Sequence, residues 1–148
     1  MRTAYRVLAF AIAALVAVQA AAIGYAVFAQ LSWIENGGTL DKASIDSAPG
    51  TSAYIFHALD GYVVLLLSLA LLIVSFFAKI PRGVRWAVIV LVCTVVQIAL
   101  GTLSRILSAI GAVHGAVALV LFGLAVTAAM RAGKPAAVPE EPVSAKVA

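Results

Sequence analysis

Four long apolar stretches limit what this chain can fold into. They cover residues of about 7–31, 53–78, 84–106 and 111–130. A helix needs about 20 apolar residues to cross a hydrocarbon layer about 30 Å thick, and each stretch is long enough. Backbone polar groups in lipid must be satisfied within their own segment, which excludes open strands. The sequence therefore predicts an all-α integral membrane protein, a bundle of four helices with up-down-up-down topology.

The composition excludes other classes of protein. Of the 148 residues, 64% are hydrophobic and 11% are charged, whereas a soluble domain has about 25% charged residues. No block rich in lysine and arginine is present, so we expect no nucleic-acid partner. The single cysteine, Cys93, excludes a disulfide framework within the chain.

The predicted transmembrane domain covers residues 1–132, with a polar outer loop at residues 32–52. Residues 133–148 include three prolines and two glutamates and are predicted to form a disordered cytoplasmic tail. Eight of the ten lysines and arginines flank the helix ends opposite the long loop. This distribution predicts a multi-pass protein of a bacterial-type inner (plasma) membrane, with both termini in the cytoplasm.

The first helix has an alternative interpretation as a signal peptide. Arg2 and Arg6 precede an apolar run that ends in Ala26-Val27-Phe28-Ala29, a pattern with small residues at a cleavage site. The run is longer than the usual apolar region of about 7–15 residues in a signal peptide, which favours a retained helix.

Both histidines of the chain lie inside predicted helices at matching depth. His57 lies four residues after the start of the second predicted helix, and His114 lies three residues after the start of the fourth. These helices run in the same direction, so both rings are expected roughly 5–6 Å below the helix ends. Ionisable residues inside a membrane span indicate function, and two such imidazoles suit the axial positions of one haem b.

Small residues beside the histidines leave room for a flat cofactor. They are Gly61 after His57, and Gly111, Gly115 and Ala118 around His114. Small residues also allow membrane helices to approach closely, so close packing is the alternative explanation.

The third predicted helix has a polar stripe at heptad spacing. Its members are Thr94, Gln97, Gly101, Ser104 and Ser108. A polar stripe is expected to face protein rather than lipid, which makes Gln97 and Gly101 candidate cofactor contacts. Hydrogen bonding between helices is the alternative role.

Two charged residues extend the candidate site. Arg105 is predicted to pair with a haem propionate, or else to snorkel to the interface. Asp60 is predicted either to orient His57 or to pair with Arg105. Two histidines and Asp60 also suit non-haem iron or zinc, but no Glu-x-x-His, His-Glu-x-x-His or Cys-x-x-Cys motif is present.

Three segments carry a resemblance to a known family. They are Tyr54-Ile55-Phe56-His57-Ala58-Leu59-Asp60-Gly61-Tyr62, Gln97-Ile98-Ala99-Leu100-Gly101 and His114-Gly115-Ala116-Val117-Ala118. Together they resemble one four-helix half of haem A synthase, over about residues 5–130. The chain is also similar to small bacterial four-helix membrane proteins with the order Gln19, His57, Gln97, His114.

The resemblance implies a single bundle that holds haem by a histidine near the outer end of its second and fourth helices. The catalytic half of haem A synthase carries a glutamate three residues before its helix 2 histidine and an arginine just after it. Tyr54 and Ala58 occupy those positions here. The resemblance therefore implies haem holding without the oxidising chemistry, and haem A synthesis by this chain alone is not expected.

The sequence thus predicts a membrane b-type haem protein, with one haem held by His57 and His114, for electron transfer or for haem or redox sensing. The alternative is a haem-free accessory subunit or small-molecule carrier, whose histidines hydrogen-bond across helices. The expected partners are the lipid bilayer and a redox partner or larger membrane complex, with homo-oligomerisation left open.

Overall fold

The computed structural model describes residues 1–133. These residues form four α-helices and no strand: α1 (Arg2–Glu35), α2 (Thr51–Phe77), α3 (Gly83–Leu103) and α4 (Ala109–Ala132). Each helix is long and apolar enough to cross a membrane. The prediction of an all-α membrane protein with four helices is confirmed, and the chain is a multi-pass membrane protein. The predicted disordered tail, from residue 134 onward, lies outside the described residues.

The four helices form a closed ring. α1 lies against α2 and α4, and α3 lies against the same two helices. α2 and α4 are therefore diagonal to each other across the bundle interior. We call the end that carries residues 36–50 the loop end. We call the opposite end, with the N-terminus and the turn between α2 and α3, the basic end.

All four helix boundaries at the loop end differ from the predicted ones, with α2 and α4 each starting two residues earlier, at Thr51 and Ala109. α1 continues to Glu35, past the predicted end at residue 31, and α3 stops at Leu103, before the predicted end at residue 106. The 34 residues of α1 make a helix about 51 Å long, more than the hydrocarbon layer needs. After α3, Arg105 N–H donates to the Thr102 carbonyl three residues back, which tightens the chain into a turn.

Tight packing is confined to the half of the bundle nearer the basic end. The buried apolar side chains of this core include Tyr5, Ile12, Val64, Leu71, Val90, Leu121 and Ala125. The hydroxyls of Ser68 in α2 and Thr94 in α3 lie 3.1 Å apart within it, so the polar stripe of α3 faces the interior here. Towards the loop end, Ala26 and Asp60 are the only buried residues of the described helices. The histidine half of the bundle is therefore the loosely packed half.

The segment between α1 and α2 folds against α1. Ala48 and Gly50 are buried, and Thr51 Oγ1 donates to the Ile45 carbonyl at 2.7 Å. The main-chain N–H and hydroxyl of Ser44 hydrogen-bond the Asp41 carboxylate, and they lower the pKa of Asp41. This turn is therefore stabilised at neutral pH, and it loses that contribution as the pH falls through the lowered pKa.

Replacing Gly50 with alanine is expected to destabilise this end of the bundle. Gly50 has φ +85°, and a Cβ there would lie 2.8 Å from the Ala26 Cα. The left-handed conformation alone costs an L-residue roughly 1–2 kcal/mol, and the contact adds to that cost. We expect a clearly lower Tm for the detergent-solubilised Gly50→Ala protein. The matched control is Gly24→Ala, because a Cβ at Gly24 meets nothing within 4 Å. Equal Tm values for the two variants would contradict the described packing of Gly50 on α1.

Candidate functional site

The two histidines meet inside the bundle at the loop end. His57 lies in the second turn of α2 and His114 in the second turn of α4. Their ring centroids are 5.9 Å apart, and the ring planes are inclined at 71°. Since α2 and α4 are diagonal helices, the imidazoles approach each other across the interior rather than along one helix interface.

α3 fixes the orientation of His114 through a reciprocal pair of hydrogen bonds. The His114 Nδ1 lies 3.0 Å from the Gln97 carbonyl oxygen, and Gln97 Nε2 donates to the His114 carbonyl at 2.8 Å. Because a carbonyl oxygen only accepts, Nδ1 carries the ring proton in this arrangement. Nε2 then presents its lone pair, which is the state of a histidine that binds a metal.

Gly101 lets the His114 ring lie directly against α3. A Cβ at Gly101 would be 3.2 Å from the His114 Cε1 and 3.3 Å from its Nδ1. At these distances, the His114 ring would have to move if Gly101 were replaced by a residue with a side chain. The structure therefore brings the predicted site residues Gln97 and Gly101 to His114.

His57 is held less completely than His114. Its Nδ1 is buried and has no hydrogen-bond partner in the described part of the chain. The main chain of Gln19 in α1 lies beside the ring. The carboxylate of Asp60 is buried, and within residues 1–133 its Oδ2 has no partner either. Among residues 1–133, the His57 ring donates no hydrogen bond to Asp60, and Asp60 forms no ion pair with Arg105.

The small residues predicted to line a cofactor slot differ in how much space surrounds them. A Cβ at Gly61 or at Gly115 would meet nothing within 4 Å, and one at Gly111 would make an ordinary contact with Ser104 at 3.8 Å. Ala118 packs against the core. The structure therefore leaves open space at Gly61 and Gly115, whereas Ala118 belongs to the helix packing.

A cavity of about 570 Å³ lies at the loop end, beside the first turn of α2. Its polar lining comes from Gln30, Asp46, Thr51, Tyr54 and Arg105. Of these five residues, only Arg105 was predicted as a site residue from the sequence. They are separated along the chain, and only the folded connection between α1 and α2 brings them together. The predicted pairing of Arg105 with a haem propionate stays a prediction.

The alternative of a non-haem metal site lacks a third ligand in this arrangement. No three His, Cys, Asp or Glu side chains come together among residues 1–133. Cys93 lies in α3, one residue from Thr94 of the core, and is a free thiol. Within residues 1–133, His57 and His114 therefore meet without a third side chain of these types.

Comparisons with known proteins identify no family for this chain. No family model, no curated protein and no solved structure matches it. The resemblance to one half of haem A synthase therefore rests on the three segments quoted above.

Proposed function

We propose that the chain is an integral membrane b-type haem protein, in which His57 and His114 bind one iron from opposite sides. The distance between the two rings carries this proposal. With a metal–nitrogen bond of about 2 Å, and a ring centre about 1.1 Å behind the nitrogen, two such imidazoles have centres about 6 Å apart. The observed 5.9 Å matches that span. Rotation of a ring about its own metal–nitrogen bond leaves this span unchanged, so an inclination of 71° is compatible with it.

The donor chemistry of the two rings also fits. The Gln97 carbonyl accepts from His114 Nδ1, which leaves Nε2 for the iron. The buried Nδ1 of His57 has no partner in the described residues, so this ring also has a nitrogen to offer. A neutral imidazole binds metal through either nitrogen.

The α1–α2 pair and the α3–α4 pair each place a histidine beside the main chain of a glutamine from the preceding helix. In the α3–α4 pair, the His114 ring of α4 lies beside the main chain of Gln97 in α3. In the α1–α2 pair, His57 lies beside the main chain of Gln19. This correspondence favours a cofactor placed centrally between the pairs, in the half of the bundle that lacks a tight core.

His57 and His114 would hold the haem between them and leave no position for an external ligand, and the haem would supply one-electron chemistry at its iron. Electron transfer, or sensing of haem or redox state, therefore fits the site better than activation of an external ligand. We place the site towards the outer face of a bacterial-type plasma membrane, with both termini in the cytoplasm, on the strength of the basic residues at the opposite end.

Visible absorption of the purified protein tests the proposal. Protein solubilised in mild detergent from haem-replete cells is expected to show a Soret band, and sharp low-spin α and β bands after reduction. The ratio of haem to chain is expected to be one. A colourless preparation that also fails to take up added haem would contradict the proposal and favour a haem-free accessory subunit or carrier.

Replacing Gly101 with valine is expected to weaken haem binding at least severalfold. The added side chain meets the His114 ring at 3.2 Å and displaces it from the Gln97 carbonyl. Haem content and the low-spin bands report the result. The matched control is Gly123→Val, because Gly123 of α4 has open space around its Cβ position. Full haem content with an unchanged spectrum in Gly101→Val would show that this contact does not position the ligand.

A further inference from the structure

The cavity at the loop end is a second candidate binding site, and neither His57 nor His114 lines it. It is bounded by the end of α1, the folded connection, the first turn of α2 and the turn after α3, through residues such as Gln30, Ile45, Tyr54 and Arg105. Its volume of about 570 Å³ falls within the range of about 300–1,000 Å³ that is usual for small-molecule sites.

The position of Arg105 places this cavity at the level of lipid headgroups. α3 has 21 residues and is therefore about 31 Å long, close to the thickness of the hydrocarbon layer. Arg105 follows the end of α3 by two residues. We therefore expect its guanidinium where the hydrocarbon ends and the phosphates of the lipid begin.

The cavity carries one positive and one negative side chain. Arg105 and Asp46 both line it, and no ion pair involving either is present among the described residues. A guanidinium suits a phosphate, with two parallel hydrogen bonds, and a carboxylate suits an ammonium group. This pair of charges favours a zwitterion. It disfavours a dicarboxylate such as the two propionates of a haem, which Asp46 would repel.

The remaining lining suits the rest of a phospholipid. The apolar part of the cavity wall is formed by Leu40, Ile45 and Ile55. These side chains are 43–57% exposed. The Tyr54 hydroxyl donates to Gln30 Oε1 at 3.3 Å, which leaves the Gln30 amide N–H groups to donate to an ester carbonyl. Apolar wall beside a pair of opposite charges is the chemistry of a lipid at the membrane interface.

We propose that this cavity binds the headgroup of a phospholipid with a primary ammonium, such as phosphatidylethanolamine, with the phosphate on Arg105 and the ammonium on Asp46. Phosphatidylcholine shares the phosphate, but its quaternary nitrogen has no N–H to donate. Asp46 is therefore the residue that distinguishes the two lipids, and Arg105 is the residue that retains both.

Native mass spectrometry of the full chain, released from nanodiscs of equal phosphatidylethanolamine and phosphatidylcholine, tests the proposal. The wild-type protein is expected to retain phosphatidylethanolamine preferentially. Asp46→Asn is expected to abolish the preference, and Arg105→Gln to reduce retention of both lipids by about tenfold, the effect of losing a charged hydrogen bond. The matched controls are Glu35→Gln and Lys42→Gln, which remove charges near the loop end from residues outside the cavity lining.

Three outcomes would overturn the proposal. The first is an unchanged lipid preference in Asp46→Asn. The second is unchanged lipid retention in Arg105→Gln together with a shifted haem midpoint potential, which would assign Arg105 to a propionate. The third is retention of soluble O-phosphoethanolamine as strong as that of the lipid, which would assign the site to a free metabolite. Arg105→Lys keeps the charge and is expected to retain part of the lipid, which separates loss of charge from misfolding.

Discussion

Replacing His114 with alanine is expected to change the haem from low-spin to high-spin or to remove it, and His57→Ala is expected to do the same. Each histidine supplies one axial bond in the proposed site, so its loss opens a coordination position on the iron. Methionine is the usual substitute ligand, but Met1 and Met130 both lie at the basic end of the bundle. The absorption spectrum and the haem content of the two purified variants measure the effect.

Added imidazole provides the control for these variants. The truncated side chain leaves space for a free imidazole at the ligand position, so the low-spin spectrum is expected to return in its presence. Rescue would show that the bundle remains folded and that the missing group is the ligand itself. A wild-type spectrum with full haem content in either variant would exclude that histidine as a ligand.

A cysteine at Ala43 is expected to react completely with a membrane-impermeant thiol reagent in intact cells. The distribution of basic residues predicts that the connection between α1 and α2 lies outside the cell. Ala43 is exposed and takes part in the Asp41 turn through its main-chain N–H, so its side chain is free to change. Ser44 is a poorer position, because its hydroxyl is part of that turn.

The labelling experiment needs two further substitutions. Cys93→Ala removes the natural thiol, which is partly buried in α3. Thr3→Cys, exposed at the other end of the bundle, is the matched control and is expected to react only after the membrane is broken. The reverse pattern, with Thr3→Cys labelled in intact cells and Ala43→Cys protected, would invert the protein and place the proposed haem site at the cytoplasmic face.

The number of helices and the depth of the histidines were predictable, since both follow from distances along the chain. Apolar stretches of about 20 residues define the spans, and a rise of 1.5 Å per residue sets the depth of His57 and His114. The interior side of each helix was harder to predict, because helices surrounded by lipid are apolar on every side. The polar stripe containing Thr94 and Gln97 was the exception, and both residues lie against neighbouring helices.

Contacts that depend on the path of the connections could not be predicted. The positive φ of Gly50, its close approach to Ala26 and the turn built on Asp41 bring Asp46 to the same cavity as Arg105. Neither the length of the loop nor its composition specifies that path. Likewise, the reciprocal bonds between Gln97 and His114 depend on how α3 and α4 are rotated about their own axes.

Electron paramagnetic resonance of the oxidised protein tests most directly whether one iron lies between His57 and His114. Two axial imidazoles are expected to produce a low-spin ferric signal. Because the ring planes are inclined at 71°, two iron d orbitals lie close in energy, and the signal is expected to be the strongly anisotropic type of nearly perpendicular ligand planes. A high-spin axial signal from protein with full haem content, or a low-spin signal that persists unchanged when both histidines are replaced, would contradict the proposed ligation.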